Sequence, residues 1–259
     1  MLKEIITAIS AYFQAHRFIT KHRLWKWILI PGLIYTILFS IGIWLFIESS
    51  TLAINFVLLK TGITEWIQKM QNSWLSWLII FMQIILYLVL LMFYFSLFKY
   101  MFLIVGSPLF AYLSEKTEAI IEGTDFPFSF TQLLKDIVRG IRIALRNMLW
   151  QTVYAISIFI LAFFPVIGWI TPLIALMVEF YYFGFSMLDY SSERHKLSTS
   201  QSIAFIGKHK GLAIGNGMVF YMMHLLPVLG WLLAPSYAVI AATISLYGNK
   251  ESSAVSSQS

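Results

Sequence analysis

The sequence predicts an all-α integral membrane protein with two long transmembrane helices, two Pro/Gly-broken hemi-penetrating helical hairpins and amphipathic interfacial helices. Three observations predict it. The 259 residues are 59% hydrophobic and only 12% charged, against about 25% charged in soluble domains. Two apolar runs, 28–47 and 74–98, each supply the roughly 20 helical residues that a bilayer crossing needs. Two further apolar segments, 151–188 and 211–247, carry the same interruption, Pro165-Val-Ile-Gly168-Trp and Pro227-Val-Leu-Gly230-Trp, placing helix breakers where a continuous helix would otherwise form.

In chain order, residues 1–20 set Ile5, Ile6, Ile9, Tyr12, Phe13 and Phe18 at helical spacing with Lys3, Glu4, Gln14 and Arg17 between them, which predicts an amphipathic surface helix. Glu4 interrupts the start, no unbroken apolar region follows and no small-residue cleavage site appears, so a signal peptide is not expected. The run 28–47 then reads as a full span, 48–73 as a polar connection and 74–98 as the second full span. After Gly106-Ser107-Pro108, a stretch with Glu115, Lys116, Glu118 and Glu122 reads as a helix leaving the membrane. From 131 to 148, Leu134, Ile137, Val138, Ile141, Leu145 and Met148 form a stripe opposite Lys135, Arg139, Arg142 and Arg146, a basic interfacial helix.

The hairpins follow, separated by a charged connection, 189–210. Their leading arms, 151–164 and 212–226, contain about 15 residues each and reach about 21–23 Å, short of the hydrocarbon thickness of about 30 Å. The hairpins are therefore expected to enter half-way, with their turns packed against other helices, because broken backbone at membrane depth needs cover. Paired broken segments of this kind also point to a transport site. The chain reads as one membrane domain, 1–248, with a disordered Ser-rich tail, 249–259. Only Lys60 and Lys69 of the 18 Lys and Arg fall on one side of this topology. The positive-inside rule puts the other side, with both termini, in the cytoplasm.

With no cysteine there are no disulfides, thiolate nucleophiles or Cys-based metal sites. Acyltransferase, zinc-protease, P-loop and paired-Asp signatures are missing, so no enzyme activity, metal or cofactor is expected. The net charge of +6 sits in short loops beside apolar spans, where it meets lipid headgroups rather than nucleic acid. Candidate pore or gating residues are Arg139, Glu179, Asp189 and His195. Glu179 stands alone in an apolar arm, where a carboxylate either marks a conduction path or pairs with a polar neighbour. His224, one turn before Pro227, reads as a pH sensor or as a hydrogen-bonded packing histidine. At the start of the first span, Arg23, Leu24, Trp25 and Lys26 place cations at a helix N-terminus, where free amides and the helix dipole favour an anion. The same residues also read as interfacial anchors.

The ordered set Gly106, Pro108, Glu115, Glu118, Asp136, Arg139, Phe164-Pro165-Val166-Ile167-Gly168, Asp189-Tyr190, His195-Lys196, Leu226-Pro227, Pro235 and Ala241-Ala242-Thr243 resembles the CysZ-type sulfate permeases of bacteria. Their wider family includes the etoposide-induced membrane proteins. The resemblance covers most of the chain and implies two long helices with two hemi-penetrating helix pairs, homo-oligomeric assembly, an inner-membrane location and cofactor-free passage of sulfate toward cysteine synthesis. Sulfate-binding members are similar in a Gly-Leu-Arg-Arg turn ahead of the first span. Here it reads Arg23-Leu24-Trp25-Lys26, so the glycine and both arginines are replaced, only Lys26 keeps a cation in register, and Lys lacks the bidentate guanidinium grip. The expected function is passage of sulfate or a related oxyanion. The alternative is a member with another substrate or a non-transporting membrane scaffold.

Overall fold

Eight helices and no strand make up the described residues of the computed structural model, which are 1–61, 74–124, 129–162, 170–192 and 197–256. They are α1 (Leu2–Lys21), α2 (Trp25–Thr61), α3 (Trp74–Glu122), α4 (Phe130–Ala162), α5 (Thr171–Ser192), α6 (Thr199–Lys208), α7 (Lys210–His224) and α8 (Leu229–Ser256). Among the described residues three stretches are long and apolar enough to cross a bilayer: Trp25–Ser49, Thr171–Ser192 and Leu229–Tyr247. The first contains the predicted span 28–47. The run 74–98 is helical as well, being the first half of α3. The chain divides into two packed units, Met1–Thr36 with Tyr100–Ser259, and Ile37–Lys99. Within the smaller unit α2 meets α3 where the Phe39 and Phe98 rings lie edge-on at 5.5 Å.

Several helices run further than the sequence predicts, each for a local reason. Pro108 would break α3 because it lacks the amide that pairs with the Ile104 carbonyl. The Ser107 hydroxyl donates to that carbonyl at 2.9 Å, and the helix passes through. The basic helix 131–148 and the first hairpin arm are one element, α4, since no Gly or Pro lies between Ile141 and Ala162. The chain beyond Asn249, expected as a disordered tail, is helical to Ser256, because extending a formed helix is far easier than nucleating one. Within the charged connection 189–210, α5 continues to Ser192 and α6 starts at a capping box. There the Ser198 hydroxyl accepts from the Gln201 amide and the Gln201 side chain accepts from the Ser198 amide.

The core of the larger unit is α5 and α7 in backbone contact. A Cβ on Gly184 would lie 1.9 Å from the Ala213 carbonyl oxygen, and one on Gly217 would lie 2.0 Å from that of Phe180. Small residues at these crossings let membrane helices approach without side chains between them. Next to this pair Phe183 and Phe220 stack at 3.7 Å.

The first helix docks along one edge of the apolar stripe its periodicity predicts, with Tyr12 buried and Ile5, Ile9 and Phe18 half-buried. Ala8, Ala11, Tyr12, Ala15 and Ile19 are buried against α7 and α8, while Ile6 and Phe13 (71% exposed) point outward. Alanine gives close approach and the bulky residues are left for an apolar surround. Polar bonds fix the register: Tyr12 Oη donates to the Asn216 carbonyl at 2.8 Å, and His16 Nδ1 meets Tyr237 Oη at 2.7 Å. Burial pushes the Tyr12 phenol well above its ordinary pKa, so it acts as a neutral donor. At the other end the Glu4 carboxylate lies 2.8 Å from His209 Nδ1 and accepts from the Gly211 amide at 3.1 Å, capping α7 from outside the helix.

The second hairpin turn, Leu225 to Val228, joins α7 and α8. Gly230 is required there because a Cβ would lie 1.8 Å from the Met223 carbonyl oxygen, and Val228 takes a left-handed φ of 63°. The expectation that this turn packs behind other helices is corrected. Leu225 (80% exposed), Leu226, Val228 and Leu229 all face outward. The backbone tolerates this because the turn satisfies itself: Leu226 N bonds Met223 O, Gly230 N bonds Leu226 O, and Trp231 Nε1 donates to the His224 carbonyl at 3.1 Å. The first hairpin turn, with Pro165 and Gly168, lies outside the described residues.

Candidate functional site

The junction of α1 and α2 shows how the chain makes a helix start with exposed donors. Helix α1 ends in a Schellman arrangement: the Leu24 amide bonds the Ile19 carbonyl at 3.1 Å, and the Arg23 amide reaches that of Thr20 at 3.4 Å. Leu24 and Ile19 are both buried beneath it. Arg23 takes φ of 53°, a left-handed conformation that favours glycine. This is the position at which the resembling turn has its glycine. Leu24 then becomes the N-cap of α2, with its carbonyl accepting from Trp27 at 3.0 Å and Ile28 at 3.2 Å. An apolar N-cap offers no side-chain acceptor, which leaves the Trp25 and Lys26 amides without an intrahelical partner. Arg23, Trp25 and Lys26 are exposed. A further cation joins them, since Lys116 Nζ sits 4.4 Å from the centre of the Trp27 ring, itself 4.7 Å from that of Tyr112.

A second feature runs between the antiparallel helices α4 and α5. Arg139 holds Asp189 with two nitrogens, Nη2 to Oδ1 at 3.0 Å and Nε to Oδ2 at 3.4 Å. Its Nη1 donates to the Leu197 carbonyl at 2.6 Å. Asp189 is 3% exposed and also accepts from the Ser202 hydroxyl at the start of α6. Two turns along α4, the Asn147 amide donates to Ser186 at 3.3 Å. One turn further, Gln151 donates to Glu179 and accepts from Tyr100 Oη at 2.5 Å, and Glu179 accepts from Tyr221 Oη at 2.8 Å. From Arg139 to Gln151 this seam of polar pairs covers about 18 Å of helix.

Asn147, Gln151 and Asp189 are all buried. Buried polar groups of this kind are held only where each finds a partner. Burial between packed helices therefore explains why the residues come as pairs.

The predicted residues thus fall into separate groups. Arg139 and Asp189 are brought together. Glu179 lies about 15 Å further along α5, in a different set of hydrogen bonds. Arg23, Leu24, Trp25 and Lys26 form the start of α2. Pro227 and Gly230 form the second turn, and His195 lies outside the described residues. His224 has a partner, with Nε2 3.3 Å from Tyr35 Oη. The sequence reading missed Gln151, Tyr221 and Tyr100 as partners of Glu179. Gln151, a lone amide ahead of an apolar arm, was the available signal. It also missed Ser202, which the Ser198–Gln201 capping box could have located.

The family model described as "Sulfate transporter CysZ/Etoposide-induced protein 2.4" matches residues 11–235. Curated relatives include the sulfate transporter CysZ of Pseudomonas fluorescens strain Pf0-1, 30% identical, covering 74% of this chain and 82% of that protein. Another is the sulfate transporter CysZ of Pseudomonas syringae pv. tomato, 30% identical over 85% of this chain and 87% of its own. The protein of that name from Pseudomonas aeruginosa strain PAO1 is 26% identical over 85% and 89%. The match spans the α1–α2 junction, the polar seam and the second hairpin turn, and this membrane protein therefore belongs to the sulfate transporter CysZ/etoposide-induced protein 2.4 family.

Proposed function

We propose that the chain is a bacterial inner-membrane permease for sulfate or a related oxyanion, feeding sulfur assimilation. The observation that carries this reading is the buried polar seam between α4 and α5, in a membrane protein whose relatives are named sulfate transporters. A fold that only filled the bilayer would gain more from apolar residues at these positions than from ion pairs that must be desolvated. The anion is first held at the start of α2 by the free amides of Trp25 and Lys26 with Arg23, Lys26 and Lys116 as the surrounding cations. Arg139, Glu179 and Asp189 belong to the passage, with His195 beside them in sequence order. Turnover of a covalent bond is not required of any of these groups.

In this reading both termini face the cytoplasm, the two hairpins enter half-way, and several copies of the chain assemble. Helix α7, from Lys210 to His224, is 15 residues long and reaches about 22 Å, which supports the half-way depth. Uptake of labelled sulfate into proteoliposomes tests the proposal. Uptake no faster than into empty vesicles, with folded protein, would reject it.

One observation favours an oxyanion other than sulfate. The turn keeps a glycine-like backbone at Arg23 but puts Trp25 and Lys26 at the two positions where sulfate-binding members resemble each other in arginines, so only Lys26 keeps a cation in register. Competition of labelled sulfate uptake by other tetrahedral oxyanions separates the two substrates.

A further inference from the structure

A groove of about 610 Å³ opens along α4 and α5 beside the start of α7. Arg146 and Lys210 stand at one end, and Trp150, Tyr154, Leu173 and Met177 line the rest. We propose that this groove holds a phospholipid of the surrounding bilayer with an anionic headgroup, its phosphate between Arg146 and Lys210 and an acyl chain along the apolar wall.

The separation of charge from apolar surface follows from the packing. The Arg146 guanidinium lies 5.7 Å from the centre of the Phe185 ring, and the Tyr154 ring lies 6.1 Å from that of Tyr182. Arg146 and Tyr154 are eight residues apart on α4, or about 12 Å. Because Ala213 faces Gly184, Lys210 falls at the same end as Arg146. Both cations are therefore at one level and the apolar wall at the other.

Neither cation pairs with a carboxylate among the described residues, and Arg146 donates only to the neighbouring Asn147 Oδ1 at 3.0 Å. The wall is open: Trp150 is half-exposed and Leu173 and Met177 are exposed. An inorganic anion would meet the cations and leave the wall bare. An apolar helix would cover the wall and strand two desolvated cations. An anionic phospholipid satisfies both ends, as basic pockets between membrane helices do for lipid headgroups.

Native mass spectrometry of the purified full chain, with phosphatidylglycerol or phosphatidylcholine added, tests this. The expected result is preferential retention of phosphatidylglycerol, about tenfold weaker in Arg146→Gln/Lys210→Gln, with phosphatidylcholine retention unchanged. Excess sulfate should leave the retained lipid in place. A second variant, Met177→Trp, keeps both cations, fills the apolar wall and should also lower phosphatidylglycerol retention. Equal retention of the two lipids, or undiminished retention in both variants, overturns the proposal. Displacement of the lipid by sulfate overturns it too, and assigns the cations to an inorganic oxyanion. A loss of self-association in Met177→Trp with lipid retention intact overturns it in favour of a second copy of the chain.

Discussion

Arg139 and Asp189 meet across the α4–α5 interface through two guanidinium nitrogens, at 3.0 and 3.4 Å. The residues lie fifty positions apart, and the pair ties α4 to the C-terminal end of α5. A third bond from Arg139 reaches Leu197, and Asp189 takes a further one from Ser202, so the same ion pair anchors the start of α6.

Removal of one partner should leave the other charge desolvated. Asp189→Ala should lower stability by about 3–5 kcal/mol, read as a fall in the thermal midpoint of the detergent-solubilised protein. Arg139→Gln should lower it comparably. The doubly substituted Arg139→Met/Asp189→Leu should recover most of the loss, since it leaves no orphaned charge. A double variant as unstable as Asp189→Ala would show that the Leu197 and Ser202 bonds matter more than the pair.

Glu179 can be probed by separating its charge from its hydrogen bonds. Glu179→Gln keeps an oxygen to accept from Gln151 and gains an amide that can donate to the Tyr221 hydroxyl, but loses the carboxylate, whereas Glu179→Leu removes both hydrogen bonds. The leucine variant should be less stable by about 2–4 kcal/mol, from the loss of two hydrogen bonds to a carboxylate. The glutamine variant should fold normally and alter sulfate uptake. Uptake equal to the parent in Glu179→Gln would make the carboxylate purely structural.

What the sequence made legible was whatever rests on composition and local chemistry. The apolar runs, the helix breakers and the charge bias needed no knowledge of packing, and Pro227 with Gly230 does mark a turn. The pairing of Arg139 with Asp189, and of Gln151 with Glu179, is a tertiary fact that spacing along one chain does not encode. For α1, periodicity found Tyr12 but also picked Phe13 and Ile6, because bulky residues dominate a hydrophobicity pattern, while the docking face is completed by Ala8, Ala11 and Ala15. Inside a membrane the large apolar side chains are as content outside as inside, so the pattern loses its direction. Helix α6 was hidden inside a charged connection, though Ser198 and Gln201 stand at capping-box spacing.

The left-handed Arg23 gives a prediction that separates backbone from charge. Arg23→Gly should relieve the αL strain of about 1 kcal/mol, offset in part by the entropy glycine adds to the unfolded chain. The midpoint should therefore rise slightly or hold. Arg23→Asn also tolerates αL and removes the same charge. If Arg23 serves the anion, both variants should weaken sulfate binding while remaining folded. Unchanged affinity in both would leave Lys26 and Lys116 as the cations.

At Lys26 an anion ligand and an interfacial anchor predict opposite outcomes. Lys26→Gln should weaken sulfate binding by about 1.5–3 kcal/mol, the loss of one charge-assisted hydrogen bond, with expression unchanged. Trp25→Ala/Trp27→Ala should instead disturb insertion and release Lys116 from the Trp27 ring. Affinity within about twofold of the parent in Lys26→Gln, roughly 0.4 kcal/mol, would remove Lys26 from the site.

The depth of the second hairpin can be read with single cysteines, and the structure decides where to put them. Gly230→Cys is unusable, since its Cβ would lie 1.8 Å from the Met223 carbonyl oxygen. Leu226 is exposed at the tip of the same turn and accepts a cysteine without a clash. If α7 stops half-way, as its reach of about 22 Å against a hydrocarbon thickness of about 30 Å implies, Leu226→Cys should resist a membrane-impermeant thiol reagent added outside intact cells. A cysteine in the polar connection 61–71, expected outside in the same topology, should react readily. Labelling of Leu226→Cys as fast as that control would place the tip in outer water, and α7 with α8 would then be two complete spans. The outcome does not depend on the substrate, so it tests the half-way hairpin separately from sulfate passage.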